Sequence, residues 1–293
     1  MCLQYSLYCK HINSSIMIEE GFNLASVFFN VIILCLLLLI VFLFFKMFDT
    51  LYISCFKRPA WVHFYFYKEK LSLSQRNMLI KNLSFFERLS KIDKKRFEHR
   101  LISFLNDKEF IPRENFILTE DKKLLISATA IMLTFGMRKY MLPILEKIIV
   151  YPEEFYSTIN EQFHKGEFNP RLNALVLSWK DFEEGYRIDD DNLNLGIHEF
   201  THAIHLNSIK RSDTASIVFS DGFSELLSLL RNDSLVTDIR NSGVIREYAF
   251  TNEFEFLAVV VENFIESPLE LKTHFPTVYK KIKQMFNFRF AGY

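Results

Sequence analysis

The sequence predicts an α+β domain with a small sheet and a largely helical C-terminal half, preceded by one transmembrane helix. Three observations predict this class. A charge-free apolar run lies near the N-terminus, two short β-like runs lie in the middle, and apolar residues at helical spacing dominate from residue 191 onward. The length of 293 residues fits one domain of about 200 to 250 residues plus an appendage.

The composition excludes several classes of protein. The chain carries 35 Lys and Arg against 35 Asp and Glu, and 49% of its residues are hydrophobic. A disordered chain would be poorer in aromatic residues and more highly charged, and a nucleic-acid-binding domain would need a clustered excess of basic residues. We therefore expect a folded protein with no nucleic-acid partner.

The N-terminal apolar run predicts a membrane anchor. No charged residue lies between Phe22 and Phe45, and a helix of this length, at about 1.5 Å per residue, crosses a hydrocarbon core of about 30 Å. We assign a tail to residues 1–21 and a transmembrane helix to residues 22–46, which would contact the lipid bilayer. A cleaved signal peptide is disfavoured because the run is too long and no small-residue cleavage motif follows it.

Basic residues flank this helix unevenly. Lys10 is the only Lys or Arg before it, whereas Lys46, Lys57 and Arg58 follow it closely. The positive-inside rule therefore predicts a single-pass membrane protein whose C-terminal domain is cytoplasmic. All four cysteines lie in or beside the helix, so the domain has no disulfides or thiolate metal ligands, which suits a reducing compartment.

Residues 47–70 form an aromatic and basic connector between the helix and the domain. Its aromatic residues suit an interfacial belt at the membrane surface. They suit the first part of a folded domain equally well, and both alternatives stay open. The domain itself is assigned to residues 71–293.

Within the domain, local patterns predict helices first and strands later. Residues 73–105 alternate apolar and charged positions at helical spacing, which predicts one or two amphipathic helices. Residues 122–137 are small or apolar all round, as in a buried helix. The two β-like runs are Lys147 to Tyr151 and Ala174 to Trp179, both bounded by turn residues.

The residues that carry chemistry begin at His198. Residues 198–202 read HEFTH, an H-E-x-x-H motif, and the run from Asp189 to Asn192 can cap its helix. Positions i and i+4 are neighbours on one helix face, so His198 and His202 can reach one zinc ion while Glu199 points at the same site. This motif becomes a convincing zinc site when a third ligand is found.

A candidate third ligand lies in residues 251–266, which read TNEFEFLAVVVENFIE. Apolar residues surround this helix on nearly every side, which predicts burial, and a buried ionised carboxylate must be paired or bind a metal. We assign Glu255 as the third ligand. Glu262, on the same face, is better placed as an acceptor for a ligand histidine N–H or as a partner of a buried base. Glu253 or Glu262 as the ligand remains an alternative, since spacing alone does not choose.

These motifs together resemble the zinc-dependent peptidases of the Mlc titration factor A type. The resemblance covers roughly residues 60–290 and rests on HEFTH at 198–202, LVLSW at 175–179, IVYP at 149–152, YAFTNEFEFLAVVVE at 248–262, and the spacing of Pro268, Leu271, Pro276 and Tyr279. It implies a zincin-like metallopeptidase fold. It also implies one zinc ion per chain, with His198, His202 and Glu255 as ligands and Glu199 as the catalytic acid/base.

The resemblance extends to the mechanism. Glu199 would take a proton from the zinc-activated water and deliver it to the leaving amine. Tyr248 stands where related sites place a tyrosine near the scissile carbonyl, so its hydroxyl would stabilise the oxyanion; a structural tyrosine is the alternative. The strand from Ala174 to Trp179 would be an edge strand that binds the substrate in extended form, with an ordinary core strand as the alternative.

One position departs from the family pattern. His205 stands three residues after His202, where the family usually carries an acidic residue. We expect it to be a surface or locally satisfied histidine, and a group that supports a metal ligand is the alternative.

The sequence therefore predicts a membrane-anchored zinc metallopeptidase, aminopeptidase-like or endopeptidase, that acts on a peptide or protein substrate. The alternative is a regulatory protein-binding module with a structural zinc, which acts by sequestering a partner. A regulatory protein partner is compatible with either hypothesis, and its identity is not predicted.

Overall fold

The computed structural model describes residues 2–157, 161–188, 190–210 and 213–293, and for residues 2–25 and 214 it describes the backbone alone. The chain forms two compact units, residues 1–55 and Phe56–Tyr293. The described elements are, in chain order, α1 (Cys2–Phe56), α2 (Leu73–Asn82), α3 (Ser84–Arg88), α4 (Lys91–Asp107), β1 (Glu109–Pro112), α5 (Glu120–Thr134), β2 (Lys147–Tyr151), β3 (Phe155–Ser157), β4 (Gln162–His164), β5 (Gly166–Asn169), β6 (Ala174–Ser178), α6 (Trp179–Arg187), α7 (Leu195–Lys210), α8 (Thr214–Leu229), α9 (Asp233–Ser242), a 3₁₀ turn (Glu247–Phe250), α10 (Glu253–Glu266), α11 (Pro268–His274) and α12 (Pro276–Met285).

The first unit is formed by the long helix α1. Its segment Ser26–Phe56 is long and apolar enough to cross a membrane, and the side chains of its most apolar window are exposed. The predicted apolar helix near the N-terminus is thereby confirmed. The helix runs without a break through residues 47–56, so the beginning of the predicted connector is helical.

The second unit contains a sheet of four described strands in the order β1-β2-β6-β5. Strands β1, β2 and β6 are parallel, whereas β5 runs antiparallel to β6, with Gly166 opposite Leu177. Both predicted β-like runs form strands. The expectation of an edge strand at residues 174–179 is wrong, because β6 lies between β2 and β5. Its five residues are all buried, as is typical of an internal strand.

The helical part of the second unit is built around α5. Residues 124–134 of this helix are all buried, which confirms the predicted buried helix, and Thr119 caps its first turn by accepting the N–H of Lys122. Helices α2, α4 and α7 pack against it. Residues 73–105 form three helices, not one or two, because the chain breaks at Leu83 and again at Leu89.

Helices α7 and α10 pack against each other and carry the residues of interest. Asn252 caps α10 by accepting the N–H groups of Phe254 and Glu255. The cap of α7 is Asn194, whose side-chain oxygen accepts the N–H of Ile197 at 3.1 Å. The acidic run before it therefore does not provide the cap, and Asp189 lies outside the described residues. The α+β class with a helical C-terminal half is confirmed.

Candidate active site

The structure brings His198, His202 and Glu255 together from α7 and α10. Their ligand atoms all lie within 4.8 Å of one another. Nε2 of His198 lies 3.0 Å from Oε2 of Glu255, and Nε2 of His202 lies 3.5 Å from Oε1 of the same carboxylate. The two histidine Nε2 atoms are 3.1 Å apart. Helix α10 thus places one carboxylate opposite both imidazoles of the H-E-x-x-H motif.

This cluster fits a divalent metal ion. Zinc bonds to nitrogen and oxygen are about 2.0 to 2.2 Å long, so ligand atoms around one tetrahedral ion lie roughly 3.4 Å apart, close to the separations observed here. Oε2 of Glu255 is buried and makes no hydrogen bond among the described residues, although His198 lies beside it. Burying a carboxylate oxygen without a hydrogen-bond donor costs free energy unless a cation binds that oxygen. Glu253 is exposed and lies outside the cluster.

The carboxylates and histidines of the cluster shift each other's pKa. Burial lowers the pKa of His198, but the neighbouring carboxylates of Glu255 and Glu262 outweigh it and raise that pKa to about 10. Burial raises the pKa of Glu255, yet the two histidines beside it hold that pKa well below its ordinary value. The group therefore attracts positive charge at neutral pH, which a metal ion supplies in place of a proton.

Glu199 lies on α7 between the two histidines. It is buried, and burial is the main reason why its pKa is raised above the ordinary value. A cleft of about 640 Å³ opens beside it, and His198 and Tyr248 line the same cleft. A carboxyl group with a raised pKa at the wall of a cleft is suited to accepting and returning a proton near neutral pH.

Tyr248 lies in the 3₁₀ turn that precedes α10. Its ring centroid is 6.2 Å from that of His198, and its side chain is 53% exposed. Burial of the remainder and the nearby Glu255 raise its pKa to about 12, so the hydroxyl stays protonated and can donate a hydrogen bond. This exposure argues against the structural alternative, in which the tyrosine would be a buried core residue.

Glu262 is the most buried carboxylate of the site, with 1% of its surface exposed. Oε1 lies 2.7 Å from Nδ1 of His198, and Oε2 accepts the backbone N–H of Asn194 at 2.8 Å. Arg246 donates to both oxygens, at 2.8 and 3.1 Å. Its hydrogen-bonding capacity is therefore filled by fixed donors, which orients the His198 ring and leaves Glu255 as the third member of the cluster.

His205 differs from its sequence-based expectation. It is neither on the surface nor locally satisfied, because it is buried and neither ring nitrogen has a hydrogen-bond partner among the described residues. Its ring lies against Phe219, Phe223 and Phe254, with centroids 6.1, 4.4 and 5.2 Å away. Burial in this apolar setting lowers its pKa to about 4.

Three residues of the site carry no signal in the sequence. Arg246 and Asn194 reach Glu262 only through the tertiary fold. Gly166 begins the edge strand β5, and a Cβ atom there would come within 2.7 Å of Oε1 of Glu199. Such a close approach is a common reason for glycine in a strand, but local sequence does not reveal which side chain it accommodates.

Fold and site together define a metallopeptidase-like protein in which one helix supplies two histidines and a second helix supplies a carboxylate. The model of the glucose-regulated metallo-peptidase M90 family matches residues 60–287. The chain belongs to that family.

Individual relatives are distant. An uncharacterized protein of Synechocystis is 29% identical over 226 residues, which cover 70% of this chain and 80% of that protein. Mlc titration factor A of Yersinia pestis is 25% identical over 213 residues, which cover 62% of this chain and 74% of that protein. The protein of the same name from Yersinia pseudotuberculosis has the same identity and coverage.

Proposed function

We propose that this protein is a membrane-anchored zinc metallopeptidase that hydrolyses peptide bonds, with His198, His202 and Glu255 as zinc ligands. The observation that carries the proposal is the position of the three ligand atoms, which lie within 4.8 Å of one another, while one of the ligands, His198, lines the same open cleft as Glu199. Two imidazoles and one carboxylate form the ligand set of open, catalytic zinc sites. Membership of a metallopeptidase family supports the same reaction.

When bound, zinc would lower the pKa of a coordinated water and polarise the scissile carbonyl. The chain's own residues move the protons. Glu199, whose pKa burial raises, accepts the proton of the attacking water and returns it to the leaving amine. Tyr248, which lines the same cleft, donates its hydroxyl hydrogen to the developing oxyanion. Glu262 and Arg246 take no proton and hold the His198 ring in position.

Strand β5 would bind the substrate. It stands at the edge of the sheet among the described strands, and residues at its start, Lys165 and Gly166, line the cleft beside Glu199. An extended peptide can add to such an edge through main-chain hydrogen bonds, which brings its backbone carbonyl toward the site and tolerates varied side chains. We therefore assign substrate binding to β5, whereas the sequence predicts it for β6.

Helix α1 would anchor the domain in the membrane. Its apolar segment is long enough to span a bilayer, and the basic residues that follow it favour a cytoplasmic domain. Protease added to intact cells is expected to leave residues 60–293 uncut, and detergent is expected to make them accessible. Cleavage in intact cells would contradict this orientation but would not bear on the proposed peptide hydrolysis.

The matched pair of the parent chain and Glu199→Gln tests the reaction. We expect cleavage of a mixed peptide library by the parent, inhibition by chelator, and a rate about 10²- to 10⁴-fold lower for Glu199→Gln with zinc content unchanged. The amide keeps the size of the carboxylate but cannot accept the water proton. Equal rates for the two proteins would overturn the proposed mechanism.

A second candidate is a regulatory protein-binding module in which zinc is structural. The names of two relatives favour it, since they are titration factors of Mlc. In that case Glu199→Gln would leave the biological effect intact while any residual peptide cleavage falls. Measuring cleavage and binding of captured protein partners on the same variant separates the two functions.

A further inference from the structure

The segment that follows α1 presents aromatic side chains to the outside of the second unit. Phe64, Phe66 and Tyr67 are 72%, 96% and 79% exposed, and we refer to these three residues as the aromatic patch. The rings of Phe64 and Phe66 contact each other at 5.0 Å between centroids. Large apolar side chains that are exposed side by side mark an interaction surface more often than scattered ones do.

The patch is held in place from the inside. Tyr65, between the two phenylalanines, points inward, where its hydroxyl accepts a hydrogen bond from the fully buried Arg100. Arg100 also donates to the carbonyl of Val62 at 3.3 Å. The ring of His63 packs on Phe135 at 4.7 Å. Because alternate residues are tied to the core, Phe64 and Phe66 project outward as an ordered feature of the fold.

Charge in this segment favours an anionic surface. Residues 57–70 read KRPAWVHFYFYKEK, with four basic residues and one acidic residue in a chain whose overall charge is balanced. One of the four, Lys57, pairs with Asp221 at 3.1 Å, so the positive charge that matters here is that of the lysines beside the patch. Lys68 and Lys70 follow the patch directly. Exposed aromatic rings with adjoining lysines are the composition that proteins place at the headgroup level of a bilayer, particularly one with anionic lipids.

Chain continuity limits where the patch can lie. Phe66 follows the last residue of α1, Phe56, by ten residues, and ten residues span at most roughly 35 Å when fully extended. If residues 22–46 cross the bilayer, helical residues 47–56 extend about 15 Å beyond it at about 1.5 Å per residue. The ten residues that follow are long enough to bring the patch back to that membrane surface. A bilayer is therefore the apolar surface that the patch meets at the highest local concentration.

We propose that the aromatic patch, with Lys68 and Lys70, inserts into the headgroup region of the membrane and docks the peptidase domain on a lipid surface that contains anionic lipids. This inference rests on the proposed membrane anchor and adds a second, interfacial contact. Of the two alternatives that the sequence left for residues 47–70, contacts of His63 and Tyr65 with the core support the first part of a folded domain, and the proposal adds an interfacial role for the residues that face outward.

The test places a tryptophan at the patch of the full chain, reconstituted into vesicles of phosphatidylcholine with phosphatidylglycerol. Phe66→Trp is made in a Trp61→Phe background, which leaves the buried Trp179 as a constant. The control is Ile117→Trp in the same background, because Ile117 is similarly exposed, at 77%, and lies outside the connector. Fluorescence is measured with lipids brominated near the headgroup and with iodide in the buffer.

We expect brominated lipid to quench Phe66→Trp at least two-fold more than Ile117→Trp, and iodide to quench the control more strongly. The lipid quenching should weaken when Lys68→Glu and Lys70→Glu are added or when phosphatidylglycerol is omitted. Iodide quenching of Phe66→Trp as strong as that of the control would overturn the proposal. So would shielding from both quenchers, which indicates that a protein or a second copy covers the patch.

Extraction with alkaline carbonate on the same vesicles separates this inference from the proposed anchor. A chain that is released by carbonate contradicts the anchor itself. A chain that stays in the membrane while its patch remains open to iodide contradicts the docking alone.

Discussion

The two ends of helix α7 place histidines in opposite environments. At the N-terminal end, the neighbouring carboxylates of Glu255 and Glu262 overcome burial and raise the pKa of His198 to about 10. Towards the C-terminal end, burial among phenylalanine rings lowers the pKa of His205 to about 4. His205 is buried and His198 is largely so, and the residues packed against each end of the helix account for the difference.

The comparison shows how neighbouring helices determine histidine chemistry. Helix α10 presents two carboxylates to His198, so a cation is favoured there. Helix α8 presents Phe219 and Phe223 to His205, so charge is disfavoured. The same residue type is therefore suited to a metal site at one end and to apolar packing at the other.

The largest effect is expected from removing the carboxylate that both motif histidines face. Glu255→Gln keeps the size of the side chain but removes its charge, and we expect more than about a 100-fold loss of zinc affinity together with the loss of peptide cleavage. Competition with a chelator measures the affinity. Glu253→Gln, on the same helix but exposed, is the matched control and should behave as the parent. Equal losses for both variants would contradict the ligand assignment.

The second-largest effect is expected from displacing Glu199 while the three proposed zinc ligands stay unchanged. In Gly166→Ala the added Cβ would lie 2.6 Å from Cγ and 2.7 Å from Oε1 of Glu199, and 2.7 Å from Cδ1 of Leu195, so both side chains must move. A displacement of about 1 Å at a catalytic group costs on the order of 10²-fold in rate. We expect a fall of that size in kcat with zinc content retained. Full activity of Gly166→Ala would show that Glu199 need not occupy its present position.

A smaller effect is expected from loosening the support of His198. Glu262→Gln cannot pair fully with Arg246 and cannot accept from all of its present donors, so zinc affinity should fall about 10- to 100-fold. Glu266→Gln, one turn further along α10, is the control, because the amide oxygen can still accept from Asn194. Zinc affinity that is unchanged in both variants would show that Glu262 serves the fold alone.

The smallest effect, on stability alone, is expected at the apolar end of α7. His205→Leu removes two buried ring nitrogens that have no partner among the described residues, which should stabilise the protein by about 1 kcal/mol and raise the Tm by about 2–4 °C at neutral pH. Zinc content and cleavage should stay as in the parent. A lower Tm at neutral pH would indicate that His205 makes a favourable contact that Leu cannot replace.

The same variant has a defined pH dependence. The pKa of His205 is about 4 in the folded protein against an ordinary value of 6.5, so the unfolded chain binds the proton more readily in this interval. The contribution of neutral His205 to the free energy of unfolding is fully present above about pH 6.5. It is lost as the pH falls toward 4. His205→Leu should therefore flatten the fall of Tm between these values, by comparison with the parent in the same buffers.

Much of this arrangement could be predicted from local sequence. The spacing of HEFTH places His198 and His202 on one face of a helix, and a carboxylate within an apolar helix indicated Glu255. Both signals are local, because helix periodicity and the cost of burying charge operate within a few turns. The buried helix α5 and the strands β2 and β6 were predictable for the same reason.

What could not be predicted depends on contacts between distant segments. The order of strands in the sheet is not a local property, so the sequence predicts β6 at the edge, although its five buried residues are typical of an internal strand. The apolar surroundings of His205 come from α8 and from Phe254. Likewise, Arg246 lies sixteen residues before Glu262 and meets it only because the 3₁₀ turn and α10 pack together.

The most direct test of the central claim compares two histidines of the same helix. Zinc content per chain is measured by mass spectrometry on the parent, His202→Leu and His205→Leu, purified side by side. Because His202 is a proposed zinc ligand and His205 is not, we expect one zinc per chain in the parent and in His205→Leu, and almost none in His202→Leu. A parent chain without zinc, or equal zinc loss in the two variants, would contradict this expectation.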